Sequence, residues 1–283
     1  MTSGPRHDEQ YAREEEALAR HREELRKRFP LPDLPKPAQR VRHKAAQALA
    51  ILALVVGGLL WLDPAYRHEQ LTSAVGERRE VTLADGSRVT LDTATDLQIS
   101  WHLRSRQVRL QRGQALFEVS PARYRPFLVE AGATRVRVVG TVFAVKNLGS
   151  DVQVSVTRGK VSVRGSQDFA NEIFLTGGQQ VLAHAGQLGA PTTVDAKTQL
   201  AWKDGKLIFA RTPLKQALGE IQRYRQAPLR LMNEPLAEGQ LADLEISGVF
   251  NTAQTDAFLD LLPSILPVKL IREANGAATI QAR

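Results

Sequence analysis

TRVRVVGTVFAVKNLGSDVQVSVTRGKVSV, residues 134–163, is the stretch whose reading decides the fold. Val136/Val138, Phe143/Val145, Val154/Val156 and Val161/Val163 are pairs of apolar residues two positions apart with polar neighbours. That is the period of strands burying one face. Gly149 and Gly159 fall between them as turn signals. Gly140-Thr141 lacks the further glycines and the lysine of a phosphate loop, so it reads as a tight connection between two strands.

Working outward, Val108/Leu110 and Phe117/Val119 repeat the pattern upstream, and Asp85-Gly86, Gly113, Gly132, Gly165 and Gly177-Gly178 mark further turns. Many short strands about ten residues apart indicate a β-solenoid or a sandwich, and the period does not choose between them. From Trp202 the order changes to strand, helix, strand, with Pro213 at a first helical position and Leu214, Leu218, Ile221 and Tyr224 on one face. A second copy follows at a shift that aligns Phe209 with Phe250, Leu218 with Leu259, Ile221 with Leu262 and Leu229 with Leu270. Two βαβ units forming one small α+β module are expected.

Toward the N-terminus, AAQALAILALVVGGLLWL from Ala45 to Leu62 carries no charge, which is the lower end of what crosses a bilayer. It reads as one uncleaved membrane helix, because no small-x-small cleavage site follows it. Lys36, Arg40, Arg42 and Lys44 precede it and Asp63 follows, so the positive-inside rule puts the N-terminus in the cytoplasm and the rest of the chain in the periplasm. Gly57-Gly58 lies late in this helix, where paired glycines ease local unwinding for an intramembrane protease or permit close helix packing.

The cytoplasmic segment holds Tyr11, Leu18, Leu25 and Phe29 on one narrow helical stripe, with Glu14 to Glu16 early and Arg26 to Arg28 late, an order that suits the helix dipole. A lone helix of this kind is marginal, so the stripe is expected to fold on a partner. PLPDLPKPAQ from Pro30 is an extended spacer. The expected domains are therefore 1–44, 45–62, 63–200 and 201–283.

The 283-residue chain is 43% hydrophobic and 24% charged, which suits globular domains with a single membrane span. Its charge of +8 is scattered through alternating strands, and Glu9 to Arg28 mixes both signs, so the pattern argues against nucleic-acid binding. There is no cysteine for disulfides or thiolate sites. The six histidines show no metal-ligand spacing, and no nucleophile motif surrounds the serines, so neither an enzyme, a metal nor a cofactor is expected. Arg106, Arg109, Arg112 and Arg123, with Trp101 and Tyr124 interleaved, form either a solvated strand face or a contact for an acidic domain or anionic envelope polymer.

Several stretches together resemble the FecR-type regulators of extracytoplasmic-function sigma factors. They are VTLADGSRVTLDTATDL from Val81, LQRGQALFEVSPARYRPFLVEAG from Leu110, VRVVGTVFAVK from Val136, VSVTRGKVSVR from Val154, LTGGQQV from Leu175 and AWKDGKLIFARTPLKQALGEIQRY from Ala201. The resemblance implies a periplasmic β-rich region, solenoid-like, followed by a module similar to the short N-terminal domain of secretins and TonB-dependent receptors. It implies an inner-membrane anti-sigma factor that receives a signal from the signalling domain of a TonB-dependent outer-membrane receptor, usually in siderophore or haem uptake, and passes it to the sigma factor. Tyr11, Leu18, Leu25 and Phe29 are then the candidate sigma-factor contacts. The segment before the membrane is shorter than the family's helical anti-sigma domain and lacks its tryptophan. An envelope-anchored protein that touches anionic polymer, with an inert tail, is the alternative.

Overall fold

The computed structural model describes residues 6–29, 39–166, 172–232 and 240–283, with side chains outside the description at 6–13, 39–45 and 60. The chain divides into two units, residues 1–59 and 60–283. In the first unit, α1 (Arg6–Arg28) ends on Arg26, Lys27 and Arg28, and Glu16 accepts a bond from Arg20 one turn away at 3.0 Å. The proline-rich spacer, 30–38, lies outside the described residues.

Helix α2 (Gln39–Leu62) contains the whole apolar stretch. Among the described residues, however, no helix is long and apolar enough to cross a membrane, so the fold does not itself show the expected transmembrane helix. The uncharged run within α2, Ala45 to Leu62, is about 27 Å long at 1.5 Å per residue, against a hydrocarbon core of about 30 Å.

In the second unit the strands are β1 (Ala65–Thr72), β2 (Arg79–Thr82), β3 (Arg88–Leu91), β4 (Asp96–His102), β5 (Arg106–Glu118), β6 (Phe127–Ala131) and β7 (Thr134–Val138), then β8 (Val142–Asn147), β9 (Asp151–Arg158), β10 (Lys160–Gly165), β11 (Glu172–Thr176), β12 (Gln179–His184), β13 (Gln187–Leu188) and β14 (Thr192–Thr193). They form one sheet that curls into two facing layers. Strand β5 belongs to both layers. Its first half pairs with β4 and β6, and its second half, from Gly113, pairs with β3 and β8.

All described pairings in this sheet are antiparallel except β5 with β6. A solenoid would stack successive coils in parallel, so of the two architectures left open by the period, the curled sandwich is the one built. Every apolar pair named from the sequence is buried in its core. Phe117 stacks on Phe143 at 5.1 Å and meets Phe127 at 5.8 Å, and each such side chain contributes roughly 1.5–3 kcal/mol by leaving water.

Arg106 is a charged residue buried beside this core, at 1% exposure. It donates to Asp85 at 2.5 Å, to the Arg125 carbonyl at 3.0 Å and to the Ser120 carbonyl at 3.1 Å, and lies over the Phe127 ring. Asp85 also accepts from the backbone and hydroxyl of Ser87. Burial pushes the Asp85 carboxyl up, but the bonds from Arg106 and Ser87 outweigh it and hold the group below its ordinary range.

After α3 (Ala196–Leu200) come β15 (Lys206–Pro213), α4 (Leu214–Gln222), β16 (Leu229–Leu231), β17 (Glu245–Asn251), α5 (Thr255–Ile265), β18 (Val268–Arg272) and β19 (Ala278–Ala282). β15 pairs with β17, and β19 lies between β16 and β18. The two sequence copies occupy β15–α4–β16 and β17–α5–β18. Leu214, Ala217, Leu218 and Ile221 of α4 and Phe258, Leu259 and Leu262 of α5 face a second core. Phe209, Phe250 and Phe258 meet there, the last two edge to face at 4.7 Å.

Gly113 sits at φ 89°, and a Cβ there would come within 2.4 Å of Thr95 Oγ1 and 2.6 Å of its Cα. Gly149 has nearly the same φ, 88°, with open space around it. Gly149→Ala should therefore cost only backbone strain, about 1–2 kcal/mol, whereas Gly113→Ala adds a clash with backbone and should cost clearly more. Urea unfolding of the two variants side by side measures the difference.

Candidate functional site

Two cores in one unit need a join, and it is polar. Asp92 follows β3 in the TLDTATDL turn and is 1% exposed. At the end of α4 the helical face turns Arg223 and Tyr224 toward it. Arg223 Nη2 donates to Asp92 at 2.8 Å, and Tyr224 Oη lies 2.9 and 3.0 Å from the two carboxylate oxygens. The other guanidinium nitrogen, Nη1, reaches Gln114 of β5 at 3.0 Å and Glu220 at 3.1 Å. Glu220 in turn pairs with Lys146 of β8. Thr93 donates its hydroxyl to the Arg223 carbonyl at 2.9 Å and accepts from the Gly76 backbone at 2.8 Å.

The charges balance: Asp92 and Glu220 against Lys146 and Arg223. Burial works to raise the Glu220 carboxyl, but Lys146 and Arg223 beside it outweigh burial and hold it below the ordinary glutamate value. Burial draws Lys146 below its own usual value, against the pull of Glu220. The two directions disagree about how firmly the pair is ionised. With two cations touching one acid, the direction for Glu220 is the one the geometry supports. Tyr224 is pushed up by burial and then by Asp92, so it stays a neutral donor.

Beside this lock, Arg78 donates to the Trp202 carbonyl at 3.1 Å, and Trp202 packs on Leu116 and Ala144 in a small third cluster. Sequence reasoning missed Asp92, Lys146, Glu220 and Arg223. The signal present was weak: Lys146 interrupts an otherwise apolar strand, and Tyr224 continues the apolar face of α4.

A second tie lies where α2 ends. Asp63, at φ 42°, accepts from the Arg104 backbone at 2.9 Å and from Ser105 Oγ at 3.1 Å, while its carbonyl lies 2.5 Å from His102 Nδ1. The turn between β4 and β5 thus grips the first residue after the helix.

The residues singled out from the sequence lie elsewhere. Leu18 and Leu25 are 68% and 53% exposed along α1 and Phe29, just past its end, is 71% exposed, while the side chain of Tyr11 lies outside the described residues. Gly57 and Gly58 sit in α2 with nothing within 4 Å of an added Cβ. The basic stretch is not one surface: Arg106 and Trp101 are buried, Arg109 pairs with Glu130 at 3.3 Å, and Arg125 stacks between Tyr66 and Trp101. Arg112, Arg123 and Tyr124 are exposed. Among the described residues no cluster of acids and histidines could hold a metal.

Because Glu220 has a lowered pKa, its contribution to stability is present above 4.5, its ordinary value, and is lost as pH falls through the folded value. Glu220→Gln should therefore destabilise most at pH 7, by about 3 kcal/mol because Lys146 loses its buried partner. The gap to the unsubstituted chain should narrow steadily below pH 4.5. Thermal melts across pH 3–7 check both the size and the slope.

Residues 69–162, from β1 into β10, match the family model described as FecR protein. No curated protein matches the chain. Two crystal structures of a candidate anti-sigma factor from Parabacteroides distasonis ATCC 8503 share the fold. The one at 2.50 Å resolution has a TM-score of 0.65 at 23% identity, covering 77% of this chain and all of that one. The one at 1.65 Å also has a TM-score of 0.65, at 24% identity, covering 76% and 99%. The strands from β1 into β10, with the fifth shared by both layers and the buried Asp92 after the third, are thus the part of the chain that is similar to a FecR protein.

Proposed function

We propose that this chain is a membrane-anchored regulator of the anti-sigma type, which carries a signal received by residues 63–283 to a sigma factor held by the N-terminal helix. The FecR domain at 69–162 carries this reading. The neighbouring structures described as a candidate anti-sigma factor agree with it.

The finer assignment follows the resemblance of the sequence. The periplasmic input is the signalling domain of a TonB-dependent outer-membrane receptor, and the output is an extracytoplasmic-function sigma factor. Leu18, Leu25 and Phe29, with Tyr11, are the proposed sigma-factor face. The exposure of Leu18, Leu25 and Phe29 supports this, since three large apolar side chains on and just after one helix remain to be covered.

The inner membrane is the proposed place of α2. Leu49, Ile51, Leu52, Leu54, Val55, Val56 and Leu59 are exposed all round the helix, and Trp61 and Leu62 continue the run. A short span is accommodated by local thinning of the bilayer and by basic side chains that reach the headgroups, a role open to Arg42 and Lys44 just before the run in the sequence. Gly57-Gly58 is the proposed point of unwinding for an intramembrane protease.

A reporter active only in the periplasm should work when fused after residue 75 and be silent after residue 40; the opposite pattern would overturn the topology. Replacing Leu18 and Leu25 together by Asp should weaken sigma-factor binding at least about 100-fold, because each leucine contributes roughly 1.5–3 kcal/mol on burial. Target-gene transcription unchanged in that variant, with normal protein level and insertion, would reduce α1 to a tether.

A further inference from the structure

Between the outer face of the FecR sheet and the terminal module runs a cleft of about 300 Å³, at the lower end of the range for small-molecule sites. Its walls come from three parts of the chain. β9 and β12 contribute Gln153, Ser155 and Gln180, the connecting segment contributes Gln199 and Trp202, and Gln216 of α4 stands opposite.

The lining is dominated by amides. Gln153 Nε2 donates to Gln180 Oε1 at 2.7 Å and to Gln199 Oε1 at 3.1 Å, and Ser155 Oγ lies 3.4 Å from the same Gln199 oxygen. These bonds hold the three amides in one array and leave Gln153 Oε1, Gln180 Nε2 and Gln199 Nε2 without partners among the described residues. Whichever way each amide is turned, the array offers donors and acceptors side by side. Trp202 is only 4% exposed, and its indole N–H, a donor with no acceptor role, has no hydrogen-bond partner among the described residues.

Charge narrows the ligand. Glu220 is the single carboxylate in the cleft and is already engaged by Lys146 and Arg223, which leaves no acidic set for a cation. Lys146 and Arg223 are neutralised by Glu220 and Asp92, and the third cation of the lining, Lys206, is exposed to solvent, where its charge is screened, which leaves little attraction for an anion. What remains are amides and the hydroxyls of Ser155, Thr198 and Thr212, groups that pair with neighbouring hydroxyls that each donate and accept. We infer that the cleft binds an uncharged saccharide of one or two rings. The bound sugar would lie against Lys146, Glu220 and Arg223, the residues that join the two cores. This inference does not depend on the sigma-factor reading, because sugar binding is read directly.

The test uses the full chain in a detergent without a sugar headgroup, with glucose, N-acetylglucosamine and maltose as ligands and dialanine as the control. Saturation-transfer NMR and calorimetry should detect at least one of the three sugars. Gln153→Leu with Gln199→Leu should weaken that binding more than tenfold at an unchanged melting temperature. Should the double variant melt early, Gln216→Trp, an exposed position at the rim, obstructs the mouth without disturbing the array and should give the same loss. No binding by any of the three sugars, binding that survives these substitutions in a folded chain, or binding of dialanine in their place would overturn the inference.

Discussion

The double membership of β5 is the constraint from which the rest of the second unit follows. Thirteen residues cannot serve two layers while remaining a flat strand, so the pairing partner changes at Gly113, where the backbone takes a conformation that side chains resist and Thr95 leaves no room for one. Once the strand is bent there, β4 and β6 on one side and β3 and β8 on the other are committed to opposite layers. A single apolar core then fills the space between them.

The bend also explains where buried charge is found. Arg106 opens β5 in the first layer and is held by two carbonyls and by Asp85, from the turn between β2 and β3. Gln114 follows the bend and meets Arg223 from the terminal module. Buried ion pairs contribute little net stability, since desolvation consumes most of the Coulomb gain, but they penalise any arrangement that leaves a partner alone. The join between the two cores is therefore selective more than it is strong. An apolar seam of the same area would tolerate sliding, whereas Asp92 with Arg223 and Tyr224, and Glu220 with Lys146, accept one docking geometry.

The sequence was most legible where local period and core position coincide. Val136, Val138, Val154 and Val156 alternate because they are strands, and they are buried because one sheet face is covered. The matching of Phe209 with Phe250 is legible for the same reason, since the two lie on paired strands of one small core. The curl of the sheet was not legible, because period two is common to a solenoid and a sandwich and only the choice of partner separates them. The polar join was hidden for another reason. Asp92 and Arg223 are 131 positions apart, and each taken singly looks like an ordinary surface residue beside a turn or a helix end. Arg106 misled in the opposite direction, reading as part of a basic face when it is an interior group.

The grip on Asp63 has a mechanical meaning. Slack absorbs displacement, and the passage from α2 to β1 has almost none: two residues lie between Leu62 and Ala65, and the first is fastened to the turn between β4 and β5 at three points. That turn opens β5, the strand common to both layers. The residue that follows the helix is thus keyed to the strand common to both layers, where a free linker would leave it loose.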